Sequence, residues 1–369
     1  MYSDGPATYH NSTIRARNES ALGACIFYKS SRKTNDIRRA AKVFCELQIG
    51  GAGIQRIGDR RQTMKRVLVV HFSQTGQLAR IARRLVSPLA GASGEVEVVE
   101  EILRPRNPYP FPWPLLRFFD TMPESVLLDP PELEPLSVRA GERFDLVILA
   151  YQVWFLSPCG PVAAFLKSED GKRLLRGRPV VTVIGCRNMW LNAQEIVKGL
   201  IQDAGGELRD NVVFTDNAPT MATLITTPLW LLTGKREGFF GLPPAGVAEG
   251  DIAGAERFGH ALVQALRADR ERNRAPMLAG MGAARVDPRL IFSERAGKRA
   301  FGVWSRIIRL GGKPGSLARL PLVVLFCLYL VAMILAVVPA SLLVQRLLRP
   351  LLARRLESQK TYFESPSGP

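Results

Sequence analysis

The stretch "VLVVHFSQTGQLARIARRL" (residues 67–85) decides the fold. An apolar run from Val67 to Phe72 meets Ser73-Gln74-Thr75-Gly76, after which Leu78, Ile81, Ala82 and Leu85 recur at helical spacing. A short, continuously apolar run fits a strand buried on both faces, and the spacing after it fits an amphipathic helix. A strand therefore feeds a helix through a tight polar loop.

Outward from this unit the alternation continues. The pattern predicts strands over 66–72, 95–102, 143–152 ("RFDLVILAYQ"), 178–186 ("RPVVTVIGC") and 207–216. Helices are predicted between and after them, over 76–90, 160–168, 192–205 and 255–270. Strands alternating with helices imply an α/β fold, a doubly wound five-stranded parallel sheet covered on both faces. This places one domain over residues 64–275.

Two insertions interrupt it, at about 103–140 and 217–248. The first contains "NPYPFPWPLLRFFDTMPESV", where prolines forbid a central strand and aromatics demand burial or a partner. The second contains "LITTPLWLLTGKREGFFGLPP". Long insertions of this kind serve as lids or docking surfaces.

Residues 1–63 are polar, basic and without period, which predicts a disordered or spurious N-terminal extension ending before Met64. "GGAGIQR" (50–56) is no dinucleotide loop, because no strand precedes it and arginine stands where the last glycine belongs. The first thirty residues show no apolar core of a secretory signal, which suits a reducing compartment. Beyond the domain, 276–319 reads as a basic linker and 345–369 as a basic tail.

Between them lies "LPLVVLFCLYLVAMILAVVPASLLV" (320–344), which has no charged residue. At ~1.5 Å per residue such a helix reaches ~37 Å, enough to cross the ~30 Å of a bilayer's hydrocarbon. Arginines flank it on both sides, so the positive-inside rule gives no orientation, and Pro339 leaves a re-entrant placement open.

The formal net charge of +17 invites a nucleic-acid reading. Its cations are spread through helices, loops and termini rather than gathered in an aromatic-interleaved stripe, which argues against that partner and for a membrane surface. Five cysteines without a C-x-x-C pair and three scattered histidines argue against a zinc site or a disulfide framework.

In a doubly wound sheet the ligand lies beyond the carboxyl ends of the strands, where strand order reverses. The loop after the first strand is Ser73-Gln74-Thr75-Gly76-Gln77. The hydroxyls of Ser73 and Thr75 can donate to phosphate oxygens, Gly76 lets the backbone approach, and the following helix aims free N–H groups at the anion. The loop has no lysine and no G-x-x-x-x-G-K-[ST] pattern, so a nucleoside-triphosphatase is excluded. The competing reading is an ordinary helix cap.

Ser-x-Thr-Gly-x after a first strand resembles the phosphate loop of flavodoxin-like FMN proteins. "YQVWFLSPCGPVAAFL" (151–166) is similar to the second flavin loop of their quinone-reductase relatives. Leu78 departs from the pattern, where flavodoxins carry a second threonine. The resemblance implies FMN, with Trp154 and Phe155 offering flat faces to the ring and Val153, Ser157 and Gly160 offering backbone. The third loop, Gly185-Cys186-Arg187-Asn188-Met189-Trp190, would close over the ring, with Arg187 as a cation for an anionic reduced flavin or enolate and Asn188 as a neutral donor. Cys186 and Cys159 lack a neighbouring histidine and do not read as nucleophiles, and His71 reads as a strand-end residue rather than a proton relay.

"SQTGQL", "PYPFPW", "FFDTMPES", "CRNMW" and the hydrophobic tail together resemble a narrower group, the bacterial dialkylresorcinol condensing enzymes. This resemblance implies a partner ketosynthase that makes a dialkyl-cyclohexane-1,3-dione, which the flavoprotein then aromatises to a dialkylresorcinol. The chain itself has no ketosynthase Cys-His-His set. The diketone substrate would be lipophilic; the C-terminal hydrophobic segment and the need for cytosolic FMN place the domain on membrane lipids at the cytoplasmic face of the inner membrane, and the flavodoxin-like resemblance leaves a homodimer open. Two alternatives stand beside it: a membrane-associated quinone reductase or electron carrier, and a non-catalytic scaffold for the ketosynthase.

Overall fold

The computed structural model describes residues 64–238, 241–337, 354–365 and 367. The expectations for 1–63, and for the end of the apolar segment and the start of the basic tail, lie outside the described residues.

Strand β1 (Lys65–His71) is buried on both faces, as its unbroken apolar run requires. Val67 and Val69 join a core with Leu78, Ile81 and Leu85 of α1 (Gln77–Gly91). Leu68 and Val70 point the other way, into a second core with Val147, Leu149 and Phe165. Period-two alternation thus divides one strand between two cores.

The chain continues through β2 (Val96–Ile102), α2 (Leu115–Asp120), α3 (Met122–Leu127), β3 (Leu146–Trp154), β4 (Ser157–Pro158), α4 (Gly160–Lys167), α5 (Glu169–Leu175), β5 (Pro179–Cys186) and α6 (Leu191–Asp203). It then forms β6 (Glu207–Thr215), α7 (Thr220–Thr233), α8 (Glu249–Ala253), α9 (Glu256–Arg267), α10 (Pro288–Arg309) and α11 (Leu320–Ala332). The sheet order is β2-β1-β3-β5-β6, with β4 antiparallel on β3. All pairings along that order are parallel, Val67 lying beside Val98 on one side and Leu146 on the other. Strand order therefore reverses between β1 and β3, as in the doubly wound flavodoxin-like arrangement.

The five expected strands and their helices are present, and the insertions hold α2, α3 and α7. Three departures follow from packing. The segment after β3 is a tight hairpin: Phe155 and Leu156, both with positive φ (49° and 59°), turn the chain so that Trp154 pairs with Ser157. Two left-handed central residues define a type I′ turn, for which Asn-Gly is the usual signal. That signal is absent here.

The expected basic linker contains the 22-residue helix α10, capped by Asp287, whose Ile291, Glu294, Ser305 and Ile308 are buried. Its exposed arginines obscure that buried face in the sequence. The described part of the expected basic tail also folds back. A helix over 354–364 sets Leu356 and Phe363 against the second core, Glu364 accepts the N–H of Val286, and Ser367 hydrogen-bonds Asp210 and the N–H of Asn211.

The helical run Leu317–Ala336 is, among the described residues, the one helix long and apolar enough to cross a membrane by length and composition. Within α11 only Val323 and Phe326 are buried, against Phe119, Phe301 and Trp304, while Leu325, Leu328 and Val331 are exposed.

Candidate functional site

The loops after β1, β3 and β5 meet at the reversal of strand order. Gly76 caps α1 with φ 80°, a left-handed conformation that a side chain would strain, and open space lies where its Cβ would point. Ser73 Oγ is buried and has no hydrogen-bond partner among the described residues. Thr75 Oγ1 receives only a long contact, 3.4 Å, from the N–H of Gln77. A buried hydroxyl without a partner costs free energy in a protein that leaves it so, and an acceptor at this point would satisfy it. The hydroxyls of Ser73 and Thr75, with the N-terminus of a 15-residue helix behind them, fit the phosphate of FMN.

The neighbouring expected ligands are committed to the protein. Gln74 donates its N–H to Gln152 Oε1 (3.1 Å) and its side-chain amide to Pro110 O (2.8 Å). Gln77 makes a two-way pair with the backbone of Val247, at 3.1 and 3.0 Å. Both residues clamp the loop to the two insertions. Leu78 is 1% exposed and belongs to the core, so its side chain is not a ligand.

The hairpin after β3 corrects the expected ring faces. Trp154 packs in T-shaped contacts with Tyr109 (5.0 Å), Phe72 (5.9 Å) and Trp113 (5.9 Å). Phe155 packs with Phe118 at 4.8 Å, and with Phe119 and Phe301 at 6.2 Å. Both rings face protein, because the first insertion and α10 supply aromatic partners that the local sequence does not reveal. Val153 pairs with Pro158 across the hairpin, and the side chain of Ser157 is fully buried.

In the loop after β5, Gly185 lies so close to α1 that a Cβ there would stand 3.1 Å from Leu78 Cδ1. Arg187 is mostly buried and its Nε has no partner among the described residues. Burial holds its guanidinium below the usual value, and the Asp216 charge opposes that shift. Asp216 is fixed by accepting from Ala218 (3.0 Å) and Gly246 (2.8 Å), while its own N–H bonds Arg187 O (2.9 Å). Arg187 is thus a second unsatisfied donor at the strand ends, and Asn188 is half-buried beside it. Burial pushes the Cys186 thiol up and lifts Cys159 to about 11, so neither supplies a thiolate at neutral pH. His71 is buried at the end of β1 with Nε2 2.8 Å from Glu100.

Two buried or half-buried titratable side chains escaped the sequence. Lys298 of α10 donates to Ser157 Oγ at 2.6 Å, and burial lowers its pKa to about 8, with Glu294 opposing. Glu294, one helical turn earlier, accepts the N–H (2.6 Å) and side-chain amide (3.1 Å) of Asn192, while its Oε2 is buried without a partner. Burial raises the carboxyl of Glu294. The i, i+4 spacing that puts both on one helix face is legible, but the docking of that face on the β3 hairpin is not.

No family model and no curated protein matches the chain. Among solved structures it is similar to a Lactobacillus acidophilus flavoprotein in complex with FMN, with 15% identity, 40% of this chain and 93% of that chain covered, and a TM-score of 0.33. It is also similar to an oxidised flavodoxin from Bacillus cereus (14% identity, 54% and 98% covered, TM-score 0.28) and to a flavone reductase (12%, 55% and 63%, 0.28). At these scores the likeness adds no argument to the strand order. By that order and its parallel register, the chain carries a flavodoxin-like doubly wound fold, extended by two apolar insertions and a C-terminal helical arm.

Proposed function

We propose that this protein is an FMN-dependent oxidoreductase acting at a membrane on a lipophilic cyclic diketone, aromatising a dialkyl-cyclohexane-1,3-dione to a dialkylresorcinol. The observation that carries the class is the buried, unpartnered hydroxyl of Ser73 at the head of α1, where strand order reverses. When bound, FMN supplies a two-electron acceptor.

The chain's own residues divide the remaining tasks. Ser73, Thr75 and the α1 N-terminus hold the phosphate. Arg187 brings positive charge to the end of β5, suited to an enolate or another anion. Lys298, whose pKa of about 8 lets it both hold and release a proton near neutrality, stands on Ser157 Oγ at the hairpin and is the candidate for proton handling during enolisation. Phe72, Tyr109, Trp113 and Trp154 pack together beside the strand ends.

The apolar run Leu317–Ala336 supports membrane association. The docking of Ser367 on Asp210 supports a re-entrant placement: a single crossing would carry the helix over 354–364 and Ser367 away from the domain against which they pack. The packing of Trp154 and Phe155 into protein favours one second reading, a scaffold that keeps the fold and docks a ketosynthase. The visible spectrum of the detergent-purified protein separates the two. Flavin bands, with FMN as the released chromophore, support the oxidoreductase, whereas a colourless protein that refuses added FMN supports the scaffold.

A further inference from the structure

A cavity of about 1,060 Å³ lies away from the phosphate loop, between the first insertion and the turn joining α10 to α11. That volume is at the upper end of the range for small-molecule sites, roughly 300–1,000 Å³. Its walls include Leu116, Leu320 and Val323, and it opens beside Leu317, which is 85% exposed at the start of the membrane-length apolar run. A cavity against such a helix is accessible to molecules that partition into a bilayer.

Polar groups mark its two ends. At the rim, Arg309 pairs with Asp129 (2.8 Å), and the buried Arg319 takes up Asp120 (3.0 Å) and Glu124 (3.1 Å). Two guanidiniums thus meet three carboxylates, and Arg117 and Lys313, which have no ion-pair partner among the described residues, leave the rim with a formal excess of one positive charge. At the inner end stands Tyr109, whose hydroxyl has no hydrogen-bond partner among the described residues. It comes within 2.9 Å of the position that a Cβ on Gly160 would occupy, so the glycine leaves the hydroxyl its space. The Tyr109 ring packs 5.0 Å from Trp154, so the inner end abuts the hairpin that carries Ser157 and its Lys298 donor.

We infer that this cavity is the seat of an alkyl-chain amphiphile with a neutral oxygenated head, the chain lying between Leu116 and α11 and the head reaching the Tyr109 hydroxyl. The cavity supplies apolar walls for a chain and a free hydroxyl for an oxygen atom. Tyr109 stands between this seat and the strand ends, where it fixes how far the head advances. Naming the amphiphile as the substrate rests on the oxidoreductase reading; occupancy of the cavity does not.

The test uses the full chain in lipid nanodiscs and an alkylresorcinol carrying a diazirine on its chain, with crosslinks located by mass spectrometry. Labelling at Leu116, Leu320 or Val323, competed by unlabelled alkylresorcinol and not by phosphatidylglycerol, is expected. Leu320→Trp, at a cavity wall that is 43% exposed, should reduce labelling at least tenfold, and Tyr109→Phe should weaken competition several-fold while leaving the labelled positions unchanged. Labelling confined to the outward residues Leu325, Leu328 and Val331 overturns the inference, as does equal competition by phosphatidylglycerol. FMN content is read on the same samples: cavity labelling in a protein that binds no FMN supports the seat and removes only the oxidoreductase reading.

Discussion

Lys298 Nζ lies 2.6 Å from Ser157 Oγ, joining α10 to the two-residue strand after β3. The same face of α10 touches the turn twice more. A Cβ on Gly297 would stand 3.1 Å from Leu156 Cδ1, and Phe301 lies 6.2 Å from Phe155. Left-handed non-glycine residues cost of order 1–3 kcal/mol each and persist where surrounding structure over-determines them, which is what α10 does for Phe155 and Leu156.

Lys298 should impose a pH dependence on stability. Its folded pKa of about 8 lies below the ordinary 10.5, so between those values the unfolded chain binds more protons and stability rises with pH. The gain is absent below about pH 8 and complete above 10.5, and solvent at the half-buried amine reduces its size. Thermal midpoints of wild type and Lys298→Met from pH 7 to 11 should show this rise in the wild type alone. Parallel curves would mean that the amine titrates normally.

Ser73→Ala should act in opposite directions on the two states of the protein. Removing a buried hydroxyl without a partner should stabilise the FMN-free protein by about 1 kcal/mol, while loss of a hydrogen bond to a charged phosphate, worth about 1.5–3 kcal/mol, should weaken FMN binding roughly 10- to 100-fold. Calorimetric unfolding and flavin fluorescence titration measure the two effects. A stabilised variant with unchanged FMN affinity would leave the loop as an ordinary helix cap.

Arg319, 1% exposed, anchors the start of α11 to α2 and α3 through Asp120 and Glu124. Arg319→Met leaves two partly buried carboxylates uncompensated and should cost about 3–5 kcal/mol. Adding Asp120→Asn and Glu124→Gln should recover much of this loss, because the penalty comes from stranded charge. Denaturant midpoints of the single and triple variants decide it; no recovery would assign the loss to packing.

The re-entrant placement predicts that a tag after residue 369 and a tag inserted near Asn273, in the segment following α9, become protease-sensitive from the same side of sealed vesicles. Ser367 hydrogen-bonds Asp210, and Asp210 also accepts the N–H groups of Met277 and Leu278, so the three segments share one side. Opposite-side sensitivity would establish a single crossing and require the 354–367 docking to be absent in the membrane.

Local chemistry wrote the sheet into the sequence. Val67–Val70 is apolar at every position because both faces are covered, and Leu78, Ile81 and Leu85 repeat at helical spacing because one side of α1 meets those strands. The same locality made Ser73, Thr75 and Gly76 readable as an anion loop, since strand, turn and helix are contiguous there. Tertiary structure alone decided where Trp154, Phe155 and Lys298 point. Their partners lie in the first insertion and in α10, far along the chain, so no periodicity around residue 154 could show that its ring is already occupied. The arm was hidden for a related reason: its many arginines and lysines dominate the composition of 276–319 and 345–369, while the few residues that dock it, Ile291, Glu294, Phe363 and Ser367, acquire meaning only when the core they meet has formed.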